Sequence, residues 1–353
     1  MNPVRHDSTT LVIARPDDWH VHLRDGPMLR AVVGFTAKRF ARAIVIPNLT
    51  PPVLTRADAL AYRARIVAAL PKDAKFTPLM TCYLTDDADP EEVARGFEEG
   101  VFAAVKLYPA HTTTNSAHGV TDLAKVRRVL ARMEAIGMPL LLHGEVTDAA
   151  VDIFDREAVY IERVLAPMLA DFPGLKVVLE HITTAEAADF VVAAGGHRLA
   201  ATITPHHLTI NRNALFHGGL RPHMYCLPVA KRERHRLALR RAAASGHPAF
   251  FLGTDTAPHR VGDKEADCGC AGIFNAPAAI ELYAQVFEEE GALGKLEAFA
   301  SFNGPDFYGL PRNRGTSTLV REDWTVPSLV PAESGGAVKP FLAGETLRWR
   351  LAS

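Results

Sequence analysis

Asp18-Trp19-His20-Val21-His22-Leu23-Arg24-Asp25 alternates apolar Trp19, Val21 and Leu23 with two histidines set two residues apart. In a β-strand, residues i and i+2 point to the same face. His20 and His22 therefore project together, with Val21 turned the other way. Arg24 continues the alternation and would lie beside them as a fixed cation. A pair of imidazoles at the end of a strand is a ready set of metal ligands. The bland alternative is two half-buried histidines on an ordinary strand, and the ends of the other apolar runs decide between the two.

Seven further runs follow: 43–48, 77–84, 103–109, 139–145, 176–181, 199–206 and 248–255. Helical patterns separate them, at Met28 to Arg39, Ala57 to Leu70, Leu123 to Ile136 with Gly137 as its stop, Asp155 to Asp171, and Ala185 to Ala194 closed by Gly195-Gly196. Asp89-Pro90-Glu91-Glu92 opens another helix with acidic residues, and a basic helix runs from Arg232 to Ala244. Eight strands alternating with helices is the count for a (β/α)8 TIM barrel. The runs are continuously apolar, as buried parallel strands are. A doubly wound open sheet is the rival, but no Gly-x-Gly-x-x-Gly follows the first strand. After Asp255 come a Gly/Cys-rich loop and a helix near Ala276 to Glu290. The chain from about Asn303 is rich in Pro and Gly, with only short strand candidates. The expectation is one domain over residues 1–353, with the site drawn from residues 20–271 and a C-terminal segment, 303–353, wrapping the barrel.

Composition is that of a soluble globular protein: 353 residues, 48% hydrophobic and 22% charged. A net charge of -1 argues against an electrostatic grip on nucleic acid or an anionic membrane. No apolar stretch approaches the roughly 20 residues of a membrane span, and the N-terminus opens no signal region, so a cytoplasmic location is expected. The four cysteines, Cys82, Cys226, Cys268 and Cys270, form no disulfide framework and no paired zinc-ribbon motif, and read as reduced thiols.

The informative residues are polar groups closing apolar runs. The first strand offers His20 and His22, the fourth Lys106, the fifth His143, the sixth His181 and the eighth Asp255. In a (β/α)8 barrel these ends converge on one face, where active sites lie. Singly, each has another reading: His143 can bond a carbonyl, Lys106 can pair with a carboxylate, Asp255 can cap a helix. At equivalent ends of five strands they read as a metal centre. Imidazole and carboxylate suit zinc, and the set is large enough for two ions. A lysine among dications loses its proton readily, and the neutral amine can take up carbon dioxide as a carbamate that bridges two metals. His206-His207, adjacent on a strand, would face opposite ways and are read as structural.

Residues 18–26, from Asp18 to Gly26, resemble the opening metal motif of the dihydroorotase family, in its shorter stand-alone bacterial type. The resemblance recurs at Pro47-Asn48-Leu49, Val105-Lys106-Leu107-Tyr108-Pro109, His143-Gly144-Glu145, Glu180-His181-Ile182-Thr183-Thr184, Thr204-Pro205-His206-His207-Leu208, residues 253–259, Cys268-Gly269-Cys270-Ala271-Gly272 and residues 303–310. It covers nearly the whole chain in order. His-x-His is shared across the amidohydrolase superfamily, whereas the Trp-His-x-His-Leu-Arg-Asp run and the Cys-Gly-Cys-Ala-Gly loop are much narrower.

The resemblance implies a binuclear zinc enzyme. His20, His22, Lys106 and Asp255 would hold one zinc, and Lys106 (as N6-carboxylysine), His143 and His181 the other. Asp255 would be the catalytic acid and base. Arg24, Asn48 and His259 match the residues that grip the substrate carboxylate, with His22 and His143 also at the substrate. Leu227 and Ala271 match positions that contact the pyrimidine ring through the backbone, and Thr113 and Thr114 match a mobile loop that closes over it. The implied reaction is reversible hydrolysis of the cyclic amide of (S)-dihydroorotate to N-carbamoyl-L-aspartate, the third step of pyrimidine synthesis, in a homodimer. Hydantoinase and allantoinase are the nearest rivals but do not need the carboxylate grip, and a metal-free scaffold would not need the ligand set.

Overall fold

Leu140-Leu141-Leu142 has no polar side chain to offer water, and all three residues are fully buried. Val177–Leu179 and Phe250–Leu252 are buried in the same way. They are three of the eight parallel strands of one sheet, ordered as in the sequence: Asp18–Val21, Arg42–Val45, Thr77–Tyr83, Ala104–Leu107, Leu140–Leu142, Val177–Leu179, Leu199–Ile203 and Phe250–Leu252. This computed structural model describes residues 6–7, 9–194, 197–332 and 336–352. The Gly195-Gly196 stop lies outside the described residues. The strands pair in register, with Tyr83 beside Lys106, Lys106 beside Leu141, and Leu142 beside Leu179.

The eighth strand meets the first through the segment that carries the histidines. The backbone N–H of Asp255 donates to the carbonyl of His20 at 2.9 Å, and that of His22 to the carbonyl of Thr256 at 2.9 Å. Buried Asp18 accepts from the Thr254 hydroxyl at 2.6 Å and its N–H at 2.8 Å. The (β/α)8 barrel is thus closed by the segments that carry His20, His22 and Asp255.

Local sequence explains where the helices begin. Asp25 caps Gly26–Arg39, and Thr55 with Asp58 forms a capping box on Arg56–Ala69. Asp89 caps Pro90–Glu98, and Asp122 caps Leu123–Ile136, which ends at Gly137 in the left-handed region, φ 70°. The helix expected over 155–171 is continuous but contains a π-turn at Ile161–Leu165, just before Pro167. Pro167 has no N–H to donate, and the wider turn moves the neighbouring bonds past it. Among the described residues no helix is long and apolar enough to cross a membrane.

Two expectations need correction. The seventh strand stops at Ile203, and Pro205–Thr209 is a short helix, so His206 and His207 are not on a strand. Thr204 is its N-cap, accepting from the His207 N–H, and Pro205 begins it. The C-terminal stretch is also more regular than its composition suggests. Thr316–Thr325 and Thr346–Leu351 pair antiparallel, and Thr316–Thr325 also pairs with Thr10–Ala14 near the N-terminus. Leu347, Trp349 and Leu351 are buried, alternating with exposed neighbours. Leu11, Ile13, Leu319, Trp349 and Leu351 belong to the same hydrophobic core as the barrel.

Trp19 is fully buried and stacks on Tyr308, with ring centroids 4.4 Å apart. Gly304 lies so close that a Cβ there would overlap the indole. Gly304→Ala should therefore cost about 3 kcal/mol through overpacking, read as a lower denaturation midpoint. An unchanged midpoint would mean that the Asn303–Tyr308 helix shifts freely, against this packing.

Candidate active site

The strand ends bring the expected side chains to one place. His20 is within its strand, and His22 follows it directly. Lys106 lies inside the fourth strand, fully buried among apolar neighbours. His143, His181 and Asp255 lie one to three residues beyond the fifth, sixth and eighth strands. Three of the residues around the site have left-handed backbones: Arg24 at φ 60°, His181 at 43° and Asp255 at 47°. Such conformations cost about 1–3 kcal/mol each for residues with a side chain. Arg24 is consequently aimed by a kink, and not by continued strand alternation as the sequence suggested.

The donor atoms define the chemistry. His20 Nε2 and His22 Nε2 are 3.3 Å apart. Asp255 Oδ1 lies 3.2 Å from the first and 3.1 Å from the second. Nitrogen and oxygen ligands at 2.0–2.1 Å from a tetrahedral zinc are separated by about 3.3–3.4 Å. The triangle therefore has the dimensions of three metal ligands, and the donor set fits a divalent ion. His20 Nδ1 is 2.9 Å from Glu180 Oε1, His22 Nδ1 is 2.8 Å from Asn48 Oδ1, and His143 Nε2 is 2.8 Å from Glu145 Oε2. Metal-bound histidines use their second nitrogen in this way, which fixes tautomer and ring orientation. The His181 ring lies 4.9 Å from that of His20 and 4.8 Å from that of His143, and its buried Nδ1 has no hydrogen-bond partner among the described residues. Lys106 Nζ is ion-paired with Glu180, which takes up the alternative that this lysine meets a carboxylate.

Burial and charge compete across this cluster. Burial pushes His20 down, but the Glu180 and Asp255 carboxylates outweigh it and raise the ring to about 9. His22, equally buried, falls to about 4. Burial would raise Asp255, yet His20, His22 and His181 hold it well below the ordinary carboxylate range. Burial lowers the Lys106 ammonium against the attraction of Glu180.

One side of the cleft carries a part-buried cation. Arg24 Nη2 lies 2.9 Å from His259 Nε2, and Arg24 Nε donates to the Pro258 carbonyl at 3.0 Å. Burial, then the charge of Arg24, lower His259 to about 2, so its ring is neutral. Asn48 Nδ2 donates to the Thr114 carbonyl at 3.1 Å. Thr113 and Thr114 line the cleft together with Arg24, Asn48, Leu227 and Ala271.

Residues 12–318 match the model of the amidohydrolase family. A dihydroorotase of Sphingopyxis alaskensis is 65% identical over 341 residues, covering 97% of this chain and 98% of its own. The chain belongs to the amidohydrolases and, within them, to the dihydroorotases. The fold agrees. A Campylobacter jejuni dihydroorotase superposes with a TM-score of 0.89 at 34% identity over 100% of both chains. The Saccharomyces cerevisiae dihydroorotase in complex with 5-fluoroorotic acid gives 0.91 at 31% identity over 98% of both.

Within this family frame, the structure adds residues that sequence reading left without a role. Glu180 stands beside a ligand candidate, and Glu145 lies two residues after another. Both close apolar runs, at 139–145 and 176–181, the signal that picked out His143 and His181, but their partners came only with the contacts. His206, His207 and Cys226 form another buried group with metal-ligand spacing. The hydrogen bonds exclude His207 from it. Its Nδ1 lies 2.9 Å from the Thr204 hydroxyl, and its Nε2 lies 3.0 Å from the Pro228 carbonyl. A carbonyl only accepts, so Nε2 carries the proton, Nδ1 accepts from Thr204, and no lone pair is left for a metal. The structural reading of His207 stands, on a helix instead of a strand. All four cysteines are free.

Proposed function

We propose that the chain is a zinc-dependent dihydroorotase that hydrolyses the cyclic amide of dihydroorotate to N-carbamoyl-aspartate, and closes the ring in the reverse direction. The observation that carries this is the His20–His22–Asp255 donor triangle, with Asn48 against His22 and the Arg24–His259 pair beside the same cleft. His20, His22, Lys106 and Asp255 would hold one zinc, and Lys106, as its carbamate, with His143 and His181 the other. When bound, the pair of ions lowers the pKa of water and polarises the ring carbonyl.

The chain's own residues do the rest. Asp255, kept ionised by its histidine neighbours, takes the proton from the attacking water and delivers it to the leaving nitrogen. Glu180 and Glu145 hold the rings of His20 and His143, and Asn48 holds His22. Arg24 presents a planar fork to the substrate carboxylate, which a lysine cannot reproduce. Leu227 and Ala271 face the ring of the substrate, and Thr113 and Thr114 close over it.

Zinc analysis with a dihydroorotate turnover assay tests the reading. Turnover of a hydantoin without dihydroorotate would overturn it. Arg24→Lys should raise KM about 10–100-fold, the loss of one charge-assisted bond, with zinc content unchanged. Loss of zinc in that variant would reverse the division between ligand and substrate residues. A cytoplasmic homodimer is the expected assembly, and a monomer by light scattering overturns that part.

A further inference from the structure

Lys264 closes a short helix, Val261–Lys264, just beyond His259. Its side chain is buried, with 3% of the residue exposed. Nζ donates to the carbonyl of Tyr225 at 2.8 Å, of Cys270 at 2.7 Å and of Gly272 at 2.7 Å. An ammonium has three donors and no acceptor, so these three carbonyls use it completely. They come from two separate stretches of chain. Tyr225 stands two residues before Leu227, and Cys270 and Gly272 flank Ala271. Leu227 and Ala271 both line the cleft.

We propose that Lys264 is a positioning residue that fixes the Leu227 and Ala271 backbones in the arrangement that recognises substrate. It acts on substrate affinity and not on the chemical step. This rests on the dihydroorotase reading above.

The surroundings make a small shift consequential. The Gly272 N–H donates to Tyr225 at 3.1 Å, so a single backbone bond and the Lys264 ammonium tie the two stretches together at Tyr225. Gly272 has φ 152°, and a Cβ there would lie 2.5 Å from the Ala257 carbonyl oxygen and 2.8 Å from the His259 ring. The Ala271 segment is therefore pressed against the substrate-carboxylate side, and the Ala271 carbonyl lies 3.0 Å from His259 Nε2. His207 secures the far end of the Leu227 stretch through the Pro228 carbonyl. Charge-assisted bonds are stronger than neutral ones, and three buried carbonyls deprived of their donor would move to find others.

Lys264→Met should raise KM for dihydroorotate about 10-fold or more, as expected for losing buried bonds to a charged group. Its kcat should stay within about 3-fold, the pattern of lost binding. Zinc content should be unchanged, and hydrogen exchange of residues 225–228 and 270–272 should accelerate. Lys264→Gln, which keeps two donors, should fall between this variant and wild type, and it serves as the test where the methionine variant does not fold. An unchanged KM in either folded variant overturns the proposal, as does a parallel fall of kcat and zinc. A wild-type enzyme that does not turn over dihydroorotate overturns the functional reading alone. In that case unchanged exchange at the two stretches overturns the positioning role.

Discussion

Asp255→Asn should lose turnover in both directions by about 10³-fold or more, the range ascribed to a positioned acid–base group together with the charge it supplies. Asparagine is the informative replacement because residue 255 has φ 47°. Asn tolerates the left-handed region at least as well as Asp, whereas alanine adds backbone strain to the loss of the carboxylate. The backbone bond from residue 255 to the His20 carbonyl, which helps close the barrel, survives in the asparagine variant. Its denaturation midpoint should therefore fall, through loss of the charge paired with His20 and His22, but less than that of Asp255→Ala, while activity collapses. The same proton is taken up during hydrolysis and delivered during ring closure, so both directions should fall by one factor. Full activity in either direction would remove Asp255 from the proton path. Asp255→Ala should be equally inactive, and less stable.

The strand-end polar cluster was legible because each member closes a continuously apolar run, a combination that burial tolerates only with a partner. Lys106 is the clearest case, being charged in sequence and fully buried in the fold. The left-handed backbones at Arg24, His181 and Asp255 were not legible. They are imposed by the chain on either side, and nothing in the residue types demands them. The helix at Pro205–Thr209 did have a signal, since Thr204-Pro205 is an N-cap followed by a proline at the first turn. The β-branched run before it masked that signal. The pairing of Thr10–Ala14 with Thr316–Thr325 joins segments about 300 residues apart, and no local pattern reports such a contact. Lys264 sits among other charged residues in Asp263-Lys264-Glu265, and only its distances to three carbonyls set it apart.

Lys106→Ala should abolish turnover, also by about 10³-fold or more, because it removes a ligand shared by both proposed ions. The structure shows what the unmodified lysine does: its ammonium pairs with Glu180, and both side chains are fully buried. Burial lowers that ammonium, and this favours the neutral amine that reacts with carbon dioxide. The sign of the pH effect follows. Raising the pH increases the neutral fraction, so carbamate formation is favoured, whereas acid restores the ammonium–Glu180 pair. Enzyme stripped by a chelator and reloaded with zinc in buffer free of carbon dioxide should recover little activity. Added bicarbonate should restore it, and faster in mildly alkaline than in mildly acidic buffer. In the Lys106→Ala variant bicarbonate should have no effect, while a small carboxylic acid that fits the vacated space should recover part of the rate. Full reactivation of the wild type without bicarbonate would show that Lys106 works unmodified. The Glu180 pair would then be its functional state, and not a resting one that carbon dioxide displaces.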